Sequence, residues 1–518
     1  MDAEDSGVDS ETIEEQVAEW SSNSNECLTF HLEGHDETFK PAFTYPIFGE
    51  EESIFGYQGL AIDVRLRNFD LQPKLEVTWD EKFPSSAGVE PTDIKAALED
   101  FLPECAFAGI DLTESDVPTQ PPGELTHSYT KDGGKYEVWV SDVNEGLAGR
   151  ILANAQALVP MFIEGGTIVD AAGDKTQGAR WKLHLLYECR GTTASYSLIG
   201  FGTSYRIFTL PDRKDPLLEH MALLQSPEKM RQQLLSRGAD VFPTLLNDSP
   251  HLESFLDTPS RERISQFLIL PPYQGSSHGS QLYHAMYTHL TISPSVLELT
   301  VEDPNEAFDD LRDLSDLLRL RKTSPEFCAL RVNTNIHSDH LKSTAHIPTH
   351  LIVPLDVRER IRKETKLQSR QFDRLVEIQT LSFIPPTHRS KARLTKKEHS
   401  TNEQDKTYWF WRLYVKQRLY IFNRDVLIQV EGDERAKALD SAFESVVQGY
   451  SAMLERVLKA EERLQRDGEE GNVNGGAAVE KRVRKRKVVE EDDEDGEDEE
   501  MGMENGPGKT NGKKARVE

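Results

Sequence analysis

Two short stretches of the chain hold residue types whose order could do chemistry. In ISQFLILPPYQGSSHGSQLYHAMYTHL, residues 264–290, an apolar run stops at Pro271-Pro272. Gln274-Gly275-Ser276-Ser277-His278-Gly279-Ser280 then turns the chain, and Leu282, Met286 and Leu290 repeat at helical spacing. Small residues let a backbone approach a ligand closely, and successive N–H groups at a helix N-terminus attract an anion; a pyrophosphate is the natural guest. An ordinary Ser/Gly turn with Ser280 as helix N-cap fits the same residues. The Gly-Lys-Ser/Thr of a P-loop and a full GxGxxG are both missing, which excludes those two nucleotide folds. The second stretch is VLELTVEDPNEAFDDLRDL, residues 296–314. Its alternation puts Val296, Glu298, Thr300 and Glu302 on one face and Leu297, Leu299 and Val301 on the other, an amphipathic strand ending in a carboxylate. Asp303-Pro304-Asn305-Glu306 reads as a helix start, with Asp303 as N-cap, Pro304 at N1 and Glu306 at N3. The adjacent charge of Asp303 could also raise the pKa of Glu302 if both are desolvated.

These stretches need elements to position them. Leu28–Leu32, Gly59–Leu66 and Lys135–Val140 alternate as strands, with Gly and Pro between them. Residues 145–163 read as helix, and Arg180–Tyr187 and Ser195–Phe201 as two antiparallel strands. Ile264–Leu270 is a third strand and Val296–Glu302 a fourth, each leading into a helix. Pro211–Ser260 is polar with helical patches and looks inserted. Beyond about residue 350 the chain is helical and basic-aromatic, as in Asp356–Ile378 and Glu434–Leu458.

Composition narrows the class. The chain has 518 residues and a net charge of −29, too long for one core and too acidic for a simple nucleic-acid binder. The first 20 residues hold eight carboxylates and no Lys or Arg, and residues 468–518 hold 15 acidic and 10 basic side chains. Of the −29, then, −8 and −5 sit at the ends and −16 in the body. Such a body attracts a polycation and repels a phosphate backbone. No apolar run reaches the roughly 20 residues of a membrane span, and the N-terminus has no signal-peptide pattern, so a soluble intracellular protein is expected. Cys27, Cys105, Cys189 and Cys328 lie far apart with no CxxC pair, which argues against zinc, redox motifs and disulfides and leaves buried thiols. Lys481–Lys487 is a compact basic run in a tail too polar to fold, and fits a nuclear-import signal or, more plainly, a solvated charge run.

The sequence resembles the type B histone acetyltransferase catalytic subunits, a family of the Gcn5-related N-acetyltransferase (GNAT) superfamily. ISQFLILPPYQGSSHGSQL and LELTVEDPNEAFDDLRDL carry the resemblance. Phe48–Tyr57, Met161–Glu164, Ala179–Trp181 and Gly200–Thr203 extend it in the family's order, over roughly 26–208 and 261–450. The superfamily pattern Gln/Arg-x-x-Gly-x-Gly/Ala stands here as Gln274-x-x-Ser277-x-Gly279, with Ser277 at the first glycine. Pro211–Ser260 departs from the family.

The resemblance implies an α+β fold: a mixed GNAT-type sheet flanked by helices, with an N-terminal mainly β domain and a C-terminal helical domain. The divisions expected are an acidic disordered 1–25, an N-terminal α/β domain 26–144, an acetyltransferase domain 145–330 with its insertion at about 211–260, a helical domain 331–466 and a disordered charged tail 467–518. It also implies acetyl-CoA as cosubstrate without a metal. The backbone of Phe267, Leu268 and Ile269 would pair with the pantetheine arm, Gln274, Gly275, Ser276, Ser277, His278, Gly279 and Ser280 would wrap the pyrophosphate, and Asn305 would join the coenzyme site. A lysine amine, with a reference pKa near 10.4, is almost wholly protonated at pH 7 and needs a base. The family places that base at Glu302 and another carboxylate near the substrate lysine at Glu164, where a solvated helix-end glutamate fits equally; Asp303, read first as the helix cap, is the candidate to support Glu302. The implied substrate is the tail of newly made histone H4, alone or together with H3. It would meet Glu50, Glu51, Glu52, Trp181, Tyr205, Arg206 and Ile207, although Trp181 fits a core position and Glu50–Glu52 a solvated turn equally. The family also implies a WD-repeat histone-binding partner, a nuclear and cytoplasmic location, no membrane and no direct nucleic-acid contact. Two rival readings stay open: an acidic histone chaperone or scaffold on an acetyltransferase fold, and an acetyltransferase of another protein or a small amine.

Overall fold

The computed structural model describes residues 18–84, 90–108, 118–169, 178–191, 195–209, 259–341, 346–390 and 402–473, with side chains of the last helix to Arg463. The acidic N-terminus, most of the segment at 211–260 and the run Lys481–Lys487 lie outside the described residues. The chain divides into a unit over Met1–Glu462 and a C-terminal unit from Arg463, of which only the helical continuation to Val473 is described.

Near the N-terminus, β1 (Leu28–Leu32), β2 (Thr38–Phe39), β3 (Ala61–Leu66) and β4 (Pro73–Thr78) form a four-stranded sheet of order β2-β1-β3-β4. β1 and β3 run parallel. Their strict alternation, with Leu28, Phe30, Leu32, Ile62, Val64 and Leu66 all buried, lays one face on the core.

The central sheet has six strands. These are β5 (Glu124–Lys131), β6 (Gly134–Asp142), β7 (Trp181–Arg190), β8 (Ser195–Phe208), β9 (Ser260–Ile269) and β10 (Val296–Val301), in the order β10-β9-β8-β7-β6-β5. Every pairing is antiparallel except β9 with β10. The sheet therefore includes the hairpin Glu124–Asp142, upstream of the expected boundary at 144, because β6 pairs with β7 from Lys135 to Asp142.

Both faces are covered, which explains the nearly unbroken apolar run Leu183–Tyr187. Leu183, Leu185 and Tyr187 join the core shared with the N-terminal sheet and α1 (Gly146–Ala155). Leu186 and Ile199 instead meet Leu282, Met286 and Leu290 of α2 (His278–Thr291). Gly202 is needed under α2, since a Cβ there would lie 2.7 Å from the Met286 sulfur.

The C-terminal region is helical. It comprises α3 (Glu306–Thr323), α4 (Leu355–Thr365), α5 (Ser369–Leu381), α6 (Glu403–Phe422) and α7 (Gly432–Val473), around a core that includes Phe372, Trp411 and Val457. With the sheets this makes an α+β molecule. The helix expected over 356–378 is two helices, broken at Lys366, which takes φ 53°. That break lets the Lys366 carbonyl accept from Leu299 N–H at 2.7 Å and its ammonium donate to the Thr291 and Ser293 carbonyls. The helical region is thereby stitched to β10, and the strand is not amphipathic as its alternation suggested. Val296 and Thr300, on the carboxylate face, are buried like Leu299 on the other. Among the described residues no helix is long and apolar enough to cross a membrane. The four cysteines are free but only half-buried, where buried thiols were expected: they stand at element ends and sheet margins rather than on core-facing rows.

Candidate active site

β9 and β10 run parallel from Ser260–Val296 to Ile264–Val301, and the Glu302 N–H closes the ladder on the Ile264 carbonyl at 2.9 Å. Beyond that point β10 ends while β9 continues, pairing with β8 at Phe267, Leu268 and Ile269. On the β10 side no strand pairs with this stretch among the described residues, and such an edge suits an extended amide-bearing chain such as a pantetheine arm.

After Ile269 the chain makes one 3₁₀ turn at Pro271–Tyr273, and the Gln274 amide closes it by donating to the Ile269 carbonyl at 2.8 Å. Gly275 (φ 70°) and Ser277 (φ 63°) are both left-handed, the conformation that glycine adopts freely and serine does not. Ser277 thus keeps the turn that a glycine would make, and α2 starts at His278. The N-cap is Ser277, not Ser280, because the reversal comes three residues earlier than the composition suggested. No side chain caps this end and no acid lies in its first turn, so its N–H groups are open to an anion. The residues fit the coenzyme's pyrophosphate on that observation. Gly279 serves packing: a Cβ there would lie 2.7 Å from Leu311 of α3. The His278 side chain is buried, its Nδ1 hydrogen-bonded with the Tyr129 hydroxyl at 2.7 Å, with the Tyr136 ring 4.5 Å away. Burial, aided by Lys131, holds its pKa below the usual value, so it stays neutral and anchors the loop to the β5–β6 hairpin.

Glu302 lies one residue past β10, and strand register brings its neighbours to it. Trp181 stands opposite Tyr205, Tyr205 opposite Arg263, and Arg263 opposite Thr300. The Tyr205 hydroxyl donates to Glu302 Oε1 at 3.1 Å and the Ser265 hydroxyl to Oε2 at 2.6 Å. Trp181 packs on Tyr205 with ring centres 4.6 Å apart and is partly buried against the core, serving as both wall and packing residue. Burial, reinforced by the Glu302 charge and opposed by Arg263, holds the Tyr205 phenol above its usual pKa, so it acts as a donor. A carboxylate held by two hydroxyl donors at a strand end has lone pairs left within reach of an amine.

Other expected residues fall into distinct places. Asp303 takes φ 31° and does not cap α3; Asn305 does, accepting from the Phe308 N–H at 2.9 Å. The strained turn at Asp303 delays the helix by two residues, so Asn305, expected at the coenzyme, is first a helix cap. Glu164 is exposed just past a short helix and has no hydrogen bond or ion pair among the described residues. Glu50 and Glu51 are exposed. Glu52 is engaged internally, taking the Thr44 and Tyr45 N–H groups on Oε1 and the Asn25 amide on Oε2, bonds that lower its pKa, the Thr44 N–H foremost. Arg206 faces away from Tyr205 and pairs with buried Glu262 at 2.8 Å, and Ile207 is half-buried opposite Arg261. Sequence reasoning missed Ser265, Arg263, Tyr129 and His278 as an anchor; only strand register places them, and no local motif marks them.

Comparison with known proteins adds to this geometry. Residues 20–164 match the family described as the N-terminus of the histone acetyl transferase HAT1. A histone acetyltransferase type B catalytic subunit of Aspergillus fumigatus is 34% identical over 93% of this chain and 87% of its own length. That of Emericella nidulans is 36% identical over 87% and 92%, and that of Schizosaccharomyces pombe 29% identical over 86% and 96%.

Proposed function

The chain belongs to the family of histone acetyltransferase type B catalytic subunits and is a protein-lysine acetyltransferase, and on that premise we propose that it acetylates lysines of the histone H4 tail by direct transfer, with Glu302 as general base. The observation that carries this is the place of Glu302. It lies where β9 and β10 part, beside an open strand edge and an uncapped helix N-terminus, with hydroxyl donors on both carboxylate oxygens.

Acetyl-CoA supplies the activated acetyl thioester. Phe267–Ile269 offer backbone groups for its arm and the start of α2 offers N–H groups for its pyrophosphate. Glu302 takes a proton from the lysine ammonium, directly or through water, leaving a lone pair that attacks the thioester carbonyl; the C–N bond forms, the C–S bond breaks and the coenzyme leaves as its thiolate. Holding both reactants on one platform supplies much of the rate, and backbone N–H groups near the end of β9 are suited to stabilising the developing oxyanion. The exposed carboxylates Glu50, Glu51 and Glu164 favour a basic tail over a neutral or acidic one. A WD-repeat histone-binding partner and import through Lys481–Lys487 belong to the same reading.

The test is acetyl transfer from labelled acetyl-CoA to an H4-tail peptide and to a scrambled peptide of equal charge, with wild type and Glu302→Gln. Preference for the H4 order and loss of activity in the variant are expected. Equal rates on both peptides would remove the H4 assignment, and an undiminished variant would remove the base.

A further inference from the structure

The geometry points to Ser265 as the positioning residue of the base: its hydroxyl stays on Glu302 Oε2 through the reaction, whereas the Tyr205 hydroxyl holds Oε1 only until the substrate amine takes its place. This rests on the reading of Glu302 as base and gives its two oxygens different tasks.

The two bonds differ in length. Ser265 donates at 2.6 Å, at the short end for O–H···O, and Tyr205 at 3.1 Å, beyond the usual range. They also differ in how the donor is held. Phe267 stands opposite Gly202 and Ile264 opposite Ser204, so two residues of β9, Ser265 and Gln266, face Thr203 alone. This is a β-bulge, a device that re-aims a side chain without ending the strand. It is pinned from β8, where the Gln266 N–H donates to Thr203 Oγ1 at 3.0 Å. It is pinned again from the core, where the Gln266 amide donates to Gln156 at 2.8 Å and to the Thr167 carbonyl at 2.8 Å. With Gln266 buried and tied, Ser265 has little freedom to leave Glu302. In a regular strand the two side chains would point to opposite faces. Here one turns to the core network and the other to the base.

Tyr205 is half-buried, and its oxygen has a second neighbour. Arg263 donates to it at 3.4 Å, and this guanidinium has no ion pair among the described residues. The guanidinium uses a lone pair of the phenol oxygen and not its O–H, so a phenol that swings off Oε1 can keep this partner. When the lysine ammonium arrives, its N–H replaces the phenol on Oε1 and the N–H bond breaks as the Oε1–H bond forms. The neutral amine keeps the electron pair, and Ser265 still donates to Oε2, fixing the plane of the carboxyl during transfer. Among the described residues Glu302 has no cationic partner, so no salt bridge has to break before it can act.

The experiment measures kcat and KM for an H4-tail peptide with the full chain and Ser265→Ala, Ser265→Thr, Tyr205→Phe, Glu302→Gln and the double variant Ser265→Ala/Glu302→Gln. Ser265→Ala is expected to lower kcat about ten- to a hundredfold with KM nearly unchanged, the scale of effect that a misplaced group produces. Ser265→Thr, which keeps the hydroxyl, recovers most of the rate. Tyr205→Phe lowers kcat less than Ser265→Ala does and does not raise KM, because the amine no longer has to displace a phenol from Oε1. Ser265→Ala adds nothing once Glu302 is Gln. A Ser265→Ala enzyme with wild-type kcat overturns the inference, as does a Ser265→Thr enzyme that melts like wild type yet stays as slow as the alanine variant. An active Glu302→Gln enzyme instead removes the base reading, so the two failures are distinguishable.

Discussion

Glu302 and Glu377 are both carboxylates tied by hydrogen bonds, and their surroundings make them opposites. Glu377, on α5, is fully buried, receives Arg418 on both oxygens at 2.7 and 2.8 Å, and accepts from the Tyr450 hydroxyl at 2.7 Å. Burial opposes the charge of Arg418, but the Glu377 carboxylate outweighs it and raises the guanidinium pKa. Every lone pair that matters is committed to a cation or a tyrosine, and water is excluded. Glu302 is held by two neutral hydroxyls at a strand end, beside an open edge. A carboxylate locked to a buried guanidinium organises a core; one steadied by neutral donors can still accept a proton. A charged cluster alone does not distinguish structure from catalysis. The type of partner does.

The largest effect should come from removing Glu302. Glu302→Gln should lower kcat about 10²–10⁴-fold, the usual range for losing a general base, with thermal melting unchanged. A parallel loss of melting temperature would erase the contrast. Glu377→Gln should do the reverse. It takes from the half-buried Arg418 guanidinium the carboxylate that two of its nitrogens bond and should cost about 3 kcal/mol in denaturant unfolding, while kcat per folded molecule stays near wild type.

A smaller effect concerns buried histidine. His184 is fully buried with no well-formed hydrogen bond on either ring nitrogen among the described residues, and burial, with His289 and Lys182 adding to it and the Gly202 backbone opposing it, drives its pKa well below the usual value. The unfolded chain takes a proton near pH 6.5 that the folded chain refuses. Stability is therefore full above that pH and falls below it, by up to about 1.4 kcal/mol per pH unit from this group. His184→Leu should flatten the melting temperature between pH 7 and 5, and an unaltered slope would show that other groups set it. The smallest effect is Ser277→Gly, which relieves a left-handed serine and should add about 0.5–1 kcal/mol of stability without changing kcat. A loss of rate there would mean that the serine hydroxyl acts on the coenzyme.

Much of the sheet was legible because its chemistry is local. Alternation marked Leu28–Leu32, Lys135–Val140 and the strand before Pro271, and turn residues marked the loop. Glu302 was legible as the residue closing a strand. The helix start was misread at Asp303 because Asp, Pro and Glu satisfy a capping pattern whose backbone here is bent at Asp303, and Asn305 takes the cap. The break at Lys366 was invisible because a lysine in a left-handed conformation has no sequence signature; its reason is a contact with β10, distant in the chain.

The sequence by itself determined where the loop and most of the strands around it lie, though not β2, β4 or β5, that small residues meet a helix N-terminus after β9, and that a carboxylate closes β10. These follow from periodicity and turn chemistry, which act over a few residues. Tertiary structure alone decided which side chains meet that carboxylate. Ser265 reaches Glu302 because a bulge shifts β9 by one residue against β8, and Tyr205 reaches it because three strands far apart in the chain align in register. Register is a property of strand pairs, fixed by the packing of both faces of the sheet.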